Sequence, residues 1–194
     1  MRTFIAVNLE QDIRTEVERL QRDLKNMTSG FRWVKSELLH ITLKFLGDID
    51  PAAVSNISRA MDLVTHNHTS FTLSFAGMGA FPTWKKPRIV WIGMGKGASE
   101  MTALALDIDK ALQEVAWEND KEQGQKKGGK KDIFKPHLTL GRAKNNETAH
   151  ISRDILNIEW RSAGTLCVDG FFLMESNLFP SGPVYRPVRK FLLK

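Results

Sequence analysis

The four residues His40-Ile41-Thr42-Leu43 return as His137-Leu138-Thr139-Leu140, 97 positions later in a chain of 194. With five histidines in the sequence, two such matches arise by background frequency only about four times in ten thousand. Both copies have the form of a strand, in which residues i and i+2 point to one face and i+1 and i+3 to the other. His40 and Thr42 then share a face, with Ile41, Leu43 and Phe45 anchoring the strand behind. His137 and Thr139 share a face likewise, backed by Leu138 and Leu140. If the halves pair about a pseudo-two-fold axis, two imidazoles and two hydroxyls converge in one cleft.

That set suits displacement at phosphorus. The attacking oxygen needs a base and the leaving oxygen an acid, and histidine serves as either near neutral pH. The non-bridging oxygens gain charge in the transition state and want fixed donors, which threonine hydroxyls supply. Neither a carboxylate constellation nor a Gly-rich lysine loop of the nucleoside-triphosphate type accompanies the motifs. The economical reading is a phosphodiester reaction that uses no metal and no nucleoside triphosphate. A single His-x-Thr on a strand is ordinarily a satisfied half-buried pair; duplication at half-chain spacing favours the chemical reading.

The rest of the chain fits a partner that is anionic. Lys and Arg number 28 against 22 Asp and Glu, a net charge of +6, which favours nucleic acid among binding partners. Part of the excess is local: a basic, Gly-containing stretch at about 119–132 reads as a flexible exposed loop with no assigned role. No stretch sustains the apolar run of a membrane span, and the first residues lack the apolar core of a secretory leader. A single cysteine, Cys167, excludes an intrachain disulfide and fits a reducing compartment, so a cytoplasmic protein is expected. Apolar spacing predicts helices over about 10–26, 51–64 (started by Asp50-Pro51), 98–118 and 147–157, interleaved with about eight short strands, among them 71–78 and 87–94 joined by a loop over 79–86, and one over 164–176. Several of those strands are adjacent in sequence. The order implies an α+β fold with antiparallel pairing rather than a doubly wound sheet, the whole of residues 1–194 forming one bilobal domain.

At the two His-x-Thr motifs the chain resembles the 2H phosphoesterase superfamily, and within it the LigT-like group of RNA 2′,3′-cyclic phosphodiesterases. The likeness extends through Arg2-Thr3-Phe4-Ile5-Ala6-Val7, Arg32-Trp33-Val34, Lys44-Phe45-Leu46-Gly47, Pro87-Arg88-Ile89-Val90-Trp91, the run Phe134 to Arg142, and Leu173-Met174-Glu175-Ser176 followed by Tyr185. The resemblance implies two pseudo-symmetric lobes, each an antiparallel sheet with outer helices, around a central cleft. It implies hydrolysis of RNA 2′,3′-cyclic phosphate ends to 2′-phosphomonoester ends with no cofactor, and because the pseudo-two-fold is internal to the chain a monomer is expected. His40 would be the proton donor, His137 the proton acceptor, and Thr42 and Thr139 would hold the phosphate. Run backwards, with a 5′-hydroxyl in place of water, the same step joins RNA through a 2′–5′ linkage. Hydrolysis of 2′–5′ oligonucleotides or of ADP-ribose 1″,2″-cyclic phosphate, and a non-catalytic RNA-end-binding module, stand as alternatives.

Other residues have two readings each. Lys44, four positions after His40 and so on its face by alternation, either reaches a flanking phosphate or is a solvated strand residue. Arg142 resembles the group's basic residue after the second motif and is a phosphate ligand only if a bulge near Gly141 brings it to the His137 face. Phe81, Trp84 and Tyr185 either stack on a base or belong to the core. Arg32 and Arg88 flank strands without a firm assignment. Trp33 and Trp91 read as core, His66 and His68 as an exposed pair rather than a metal site, and Cys167 as a packed thiol.

Overall fold

The computed structural model describes residues 1–115, 134–145, 149–152, 155 and 163–194. The basic stretch at 119–132 lies outside them, as does most of the helix expected over 147–157. The described elements are β1 (Arg2–Asn8), α1 (Gln11–Asn26), β2 (Thr28–Ser29), β3 (Phe31–Trp33), β4 (His40–Asp48), α2 (Val54–Thr65), β5 (Phe71–Thr83) and β6 (Lys86–Met94). They continue with α3 (Ala98–Glu114), β7 (His137–Ala143), β8 (His150–Ile151), β9 (Thr165–Val168), β10 (Gly170–Phe179) and β11 (Gly182–Leu192). Residues 150–151, expected as helix, instead pair with Thr28–Ser29 as a short ribbon. No described helix is long and apolar enough to cross a membrane.

Local sequence accounts for most of these elements. In α1 the buried residues Ile13, Val17, Leu20 and Leu24 fall on one stripe at helical spacing. Before α2, the Asp50 carboxylate accepts from the Ala52 amide at 2.9 Å, and Pro51 opens the 3-10 turn (Pro51–Ala53) that leads into the helix. The stretch 79–86, read as a loop, is a continuous hairpin: β5 and β6 pair down to Thr83 opposite Lys86. The expected strand over 164–176 breaks at Asp169, where the chain leaves β9, paired to β5, and enters β10, paired to β1. Gly170 permits that crossing, because a Cβ there would stand 2.3 Å from the Phe191 carbonyl oxygen.

Two antiparallel sheets result, ordered β11-β10-β1-β4 and β3-β7-β6-β5-β9. They match strand for strand: β4, β1, β10 and β11 correspond to β7, β6, β5 and β9, with β3 added beside β7. The register repeats as well. Asn8 faces His40, Ala6 faces Thr42, Ile5 faces Lys44 and Phe4 faces Phe45. In the second sheet Gly93 faces His137, Trp91 faces Thr139, Val90 faces Gly141 and Ile89 faces Arg142.

Both motif strands therefore carry an extra residue at the same place, Leu43 in β4 and Leu140 in β7. Such a bulge reverses the alternation beyond it. It turns Lys44 away from His40, onto the side of the buried Ile5, where its ammonium pairs with Asp109 of α3. The alternation argument for Lys44 fails for that reason. The equivalent bulge in β7 carries Arg142 onto the His137 face.

The outer faces of both sheets meet the helices in one continuous apolar core that includes Ile5, Val7, Ile41, Leu43, Val90, Ile92, Leu138 and Leu140. The inner face of the first sheet holds a separate small cluster of Phe4, Ala6 and Met174, flanked by Phe172 and Tyr185. Cys167 is exposed, not packed: Leu166 and Val168 point inward on β9 and the thiol between them points out. Trp91 lies on the inner face of the second sheet, stacked on Phe81 at 5.1 Å between ring centroids. The site of Gly79 lies under its indole, since a Cβ at 79 would fall 2.1 Å from a ring carbon. Gly79→Ala is expected to cost about 1–3 kcal/mol by overpacking, read as a lower urea midpoint with an unchanged slope.

Candidate active site

The inner faces of the two sheets enclose a cleft of about 780 Å³, lined by His40, Thr42, His137, Thr139, Arg142 and Tyr185 together with Arg32, Trp33, Lys35 and Lys144. Within this cleft the two motifs present the same set of atoms. His40 Nδ1 stands 2.7 Å from the Leu38 carbonyl and His137 Nδ1 stands 2.7 Å from the Lys135 carbonyl. A carbonyl only accepts, so each Nδ1 carries the hydrogen and each neutral ring keeps its lone pair on Nε2. Neither Nε2, nor the hydroxyl of Thr42 or Thr139, has a protein partner among the described residues.

Aromatic neighbours hold the rings upright. His40 is flanked by Phe4 at 4.8 Å and meets Tyr185 edge-on at 5.2 Å. His137 meets Phe81 edge-on at 5.3 Å and Trp91 at 6.1 Å. These apolar walls have an electrostatic consequence. Burial pushes both imidazoles below the ordinary histidine value, and the Arg142 guanidinium pushes each further in the same direction. The carbonyl bonds work the other way and oppose the shift. Burial also raises the Tyr185 phenol, which stays a neutral donor at physiological pH.

The remaining residues singled out in the sequence divide clearly. Lys44 lies on the helix side with Asp109 and does not line the cleft. Phe81 braces His137 from behind, and Trp84 packs against the main core. Trp33 lines the cleft rather than sitting wholly in the core, while Trp91 supports His137 from the cleft side of its sheet. Arg32 lines the cleft and Arg88 does not. His66 and His68 are drawn apart, the first to the Asp62 carbonyl and the second to the Asp107 carboxylate at 2.9 Å. Among the described residues no three His, Cys, Asp or Glu side chains are grouped to hold a metal ion.

Two residues of α1 that sequence reasoning passed over position the motifs. Gln21 is buried, and its amide nitrogen donates to the Val34 and Leu140 carbonyls, both at 2.9 Å. The Leu140 carbonyl also accepts from the Val34 amide at 2.9 Å, so Gln21 clamps the end of β3 to β7 at the bulge residue of the second motif. A glutamine on an otherwise apolar helix stripe, between Leu20 and Leu24, was the signal available. Arg14 donates to the Leu9 carbonyl and to the Ser36 carbonyl, each at 3.0 Å. It thereby pins the 3-10 turn Ser36–Leu38, whose last carbonyl holds His40.

Comparison with known proteins places this geometry. Residues 7–91 match the family model of LigT like phosphoesterases. An RNA 2′,3′-cyclic phosphodiesterase of Archaeoglobus fulgidus is 37% identical over 193 residues, spanning 98% of this chain and 99% of the relative. One from Aquifex aeolicus is 30% identical over 193 residues, spanning 100% and 97%. The crystal structure of the Thermus thermophilus protein TT0787 superposes with a TM-score of 0.79 at 27% identity, covering 100% of this chain and 98% of that one. With full-length similarity of this kind and paired histidines on matching strands of two related sheets, the chain belongs to the LigT-like phosphoesterase family.

Proposed function

We propose that the protein hydrolyses RNA 2′,3′-cyclic phosphate ends to 2′-phosphomonoester ends, with His40, Thr42, His137, Thr139 and Arg142 as its working residues. The observation that carries this reading is the pair of imidazoles, each fixed through Nδ1 with Nε2 free, facing one cationic cleft that also holds two unengaged hydroxyls. The names of full-length relatives at 37% and 30% identity support the same substrate class.

In the proposed reaction a water oxygen attacks phosphorus as its proton passes to neutral His137 Nε2. The bond from phosphorus to O3′ breaks in line, and O3′ takes the proton from charged His40 Nε2. The product carries a 2′-phosphate and a free 3′-hydroxyl. His137 is the more open of the two rings and suits the position where water arrives, whereas His40 lies deeper, against Phe4 and Tyr185. The Thr42 and Thr139 hydroxyls and the Arg142 guanidinium donate to the non-bridging oxygens as charge builds there. Lys44, tied to Asp109, has no part in this scheme.

The direct test is incubation with a short RNA ending in a 2′,3′-cyclic phosphate, in excess EDTA, followed by mapping of the product end. A 2′-phosphate is expected; an end left intact by the wild-type protein overturns the reading and directs attention to 2′–5′ linkages. His40→Ala and His137→Ala are each expected to lower kcat by about 10²–10⁴-fold without loss of the folded state by circular dichroism. Lys44→Gln is expected to leave kcat/KM unchanged and to cost less than about 1 kcal/mol of stability, its ion pair being partly solvated.

The pH dependence follows from the shifted histidines. Turnover needs one ring neutral and the other charged, and in the free enzyme both titrate below the ordinary value of 6.5. The kcat/KM profile, which reports the free enzyme, is therefore expected to be bell-shaped with its maximum below pH 6.5. A bound phosphodiester anion stabilises imidazolium and raises both values, so the kcat profile is expected to lie at higher pH. A kcat/KM flat from pH 5 to 9 would rule out the paired acid and base.

A further inference from the structure

Arg32 of β3 and Arg142 of β7 are cross-strand partners. Directly opposed residues in an antiparallel pair share a face, with Cβ atoms about 4.5–5.5 Å apart, and like charges so placed repel each other. Both side chains line the cleft, and neither has a carboxylate partner among the described residues. The same wall continues with Lys35, just after β3, and Lys144, just after β7, while among the described residues Glu37 is the one acidic side chain lining the cleft. The tip of the β10–β11 hairpin, from the other sheet, also lines the cleft with Pro180, Pro183 and Val184.

A single phosphate engaged by the two histidines, two threonines and Arg142 leaves Arg32 and Lys144 without an anion. The bulge at Leu140 makes the excess possible, because it alone turns Arg142 to the side of the sheet that Arg32 occupies. Two uncompensated guanidiniums side by side, in a cleft that also presents Pro180, Pro183 and Val184, fit a strand that carries a second phosphate and flat bases.

We infer that Arg32, with Lys144, forms a subsite for the phosphodiester that joins the terminal nucleotide to its 5′ neighbour, so that the enzyme selects an RNA strand over a nucleoside 2′,3′-cyclic monophosphate. Arg32 is a specificity-determining residue in this scheme: it takes no part in proton transfer and acts by adding a contact that a mononucleotide cannot make. The inference rests on the proposed cyclic-phosphate hydrolysis and assigns a substrate size and a second anion site to it.

The experiment compares kcat/KM for cytidine 2′,3′-cyclic monophosphate with that for a pentanucleotide ending in the same cyclic group, using the wild-type chain, Arg32→Gln and Arg142→Gln. The wild type is expected to favour the pentanucleotide at least tenfold. Arg32→Gln is expected to reduce that preference at least fivefold, mainly through KM, and to make log kcat/KM for the pentanucleotide less steep in log salt by about 0.7. Arg142→Gln is expected to impair both substrates alike. The thermal midpoint of Arg32→Gln in low salt should equal or exceed that of the wild type, because the change relieves repulsion. Equal losses on the two substrates, or no loss on the pentanucleotide, overturn the assignment of Arg32. Absence of turnover with either substrate overturns the hydrolysis reading itself, and the subsite with it.

Discussion

The bond from each histidine Nδ1 to the carbonyl two residues before it is the interaction on which the site depends. It leaves one tautomer for each neutral ring and aims each Nε2 into the cleft. The bond is useful only if the accepting carbonyls are themselves fixed, and α1 contributes to both motif strands. Arg14 ties down the turn before His40, and Gln21 ties down the carbonyls of Val34 and Leu140. A helix held to the core by four buried aliphatic residues thus transmits its rigidity to two strands 97 residues apart in sequence. Burial of the rings in aromatic walls has a separate effect, favouring their neutral forms until an anion enters.

The repeat is close enough that its departures carry meaning. Beyond the shared bulge, the position on the cleft side is Phe45 in the first copy and Arg142 in the second. Phe45 is 61% exposed and lies against Phe4, outside the cleft lining, whereas Arg142 lines the cleft. Only one of the two motifs therefore supplies a guanidinium, and an anion bound between the imidazoles meets two unequal surroundings. Lys44 and Gly141 differ for a related reason: the first has the side chain to reach Asp109, while at the second a Cβ would press on Trp33 at 3.2 Å. Equivalent backbones with unequal side chains allow chemically identical residues to take different parts.

Much of this was legible in the sequence, and the limits were physical. The helix stripes before residue 113, the Asp50-Pro51 start and the backing by Ile41, Leu43, Leu138 and Leu140 read correctly because periodicity and capping are local, whereas Phe45, expected behind the first motif, is exposed on the Phe4 side. Face assignments beyond Thr42 and Thr139 did not, because a bulge is one unpaired residue with no periodic trace. Lys44 was consequently put on the cleft side by alternation, and Arg142 needed a bulge to reach it. The hairpin over 79–86 looked like a loop because Gly, Pro and Lys are loop-forming, yet cross-strand pairing overrode their propensities. The crossing at Asp169 was invisible for another reason: which sheet a strand joins is decided by partners far away in the chain.

Those distant partners give the repeat its structural unity. Strand β6, from the first half of the chain, pairs with β7 of the second, and β10, from the second half, pairs with β1 of the first. Each sheet is consequently built from strands of both halves. His40 illustrates the result, since its neighbours Phe4 and Tyr185 come from opposite ends of the sequence. Separate lobes joined by a hinge would need to close before acid and base met across one phosphate. Exchanged strands and a continuous core instead hold the two motifs in one framework, so their imidazoles and hydroxyls are oriented without any closure. The wedge of helix α1 against both motifs and the interleaving of the sheets are two expressions of the same requirement, that in the proposed reaction two halves of the chain act on a single phosphorus atom.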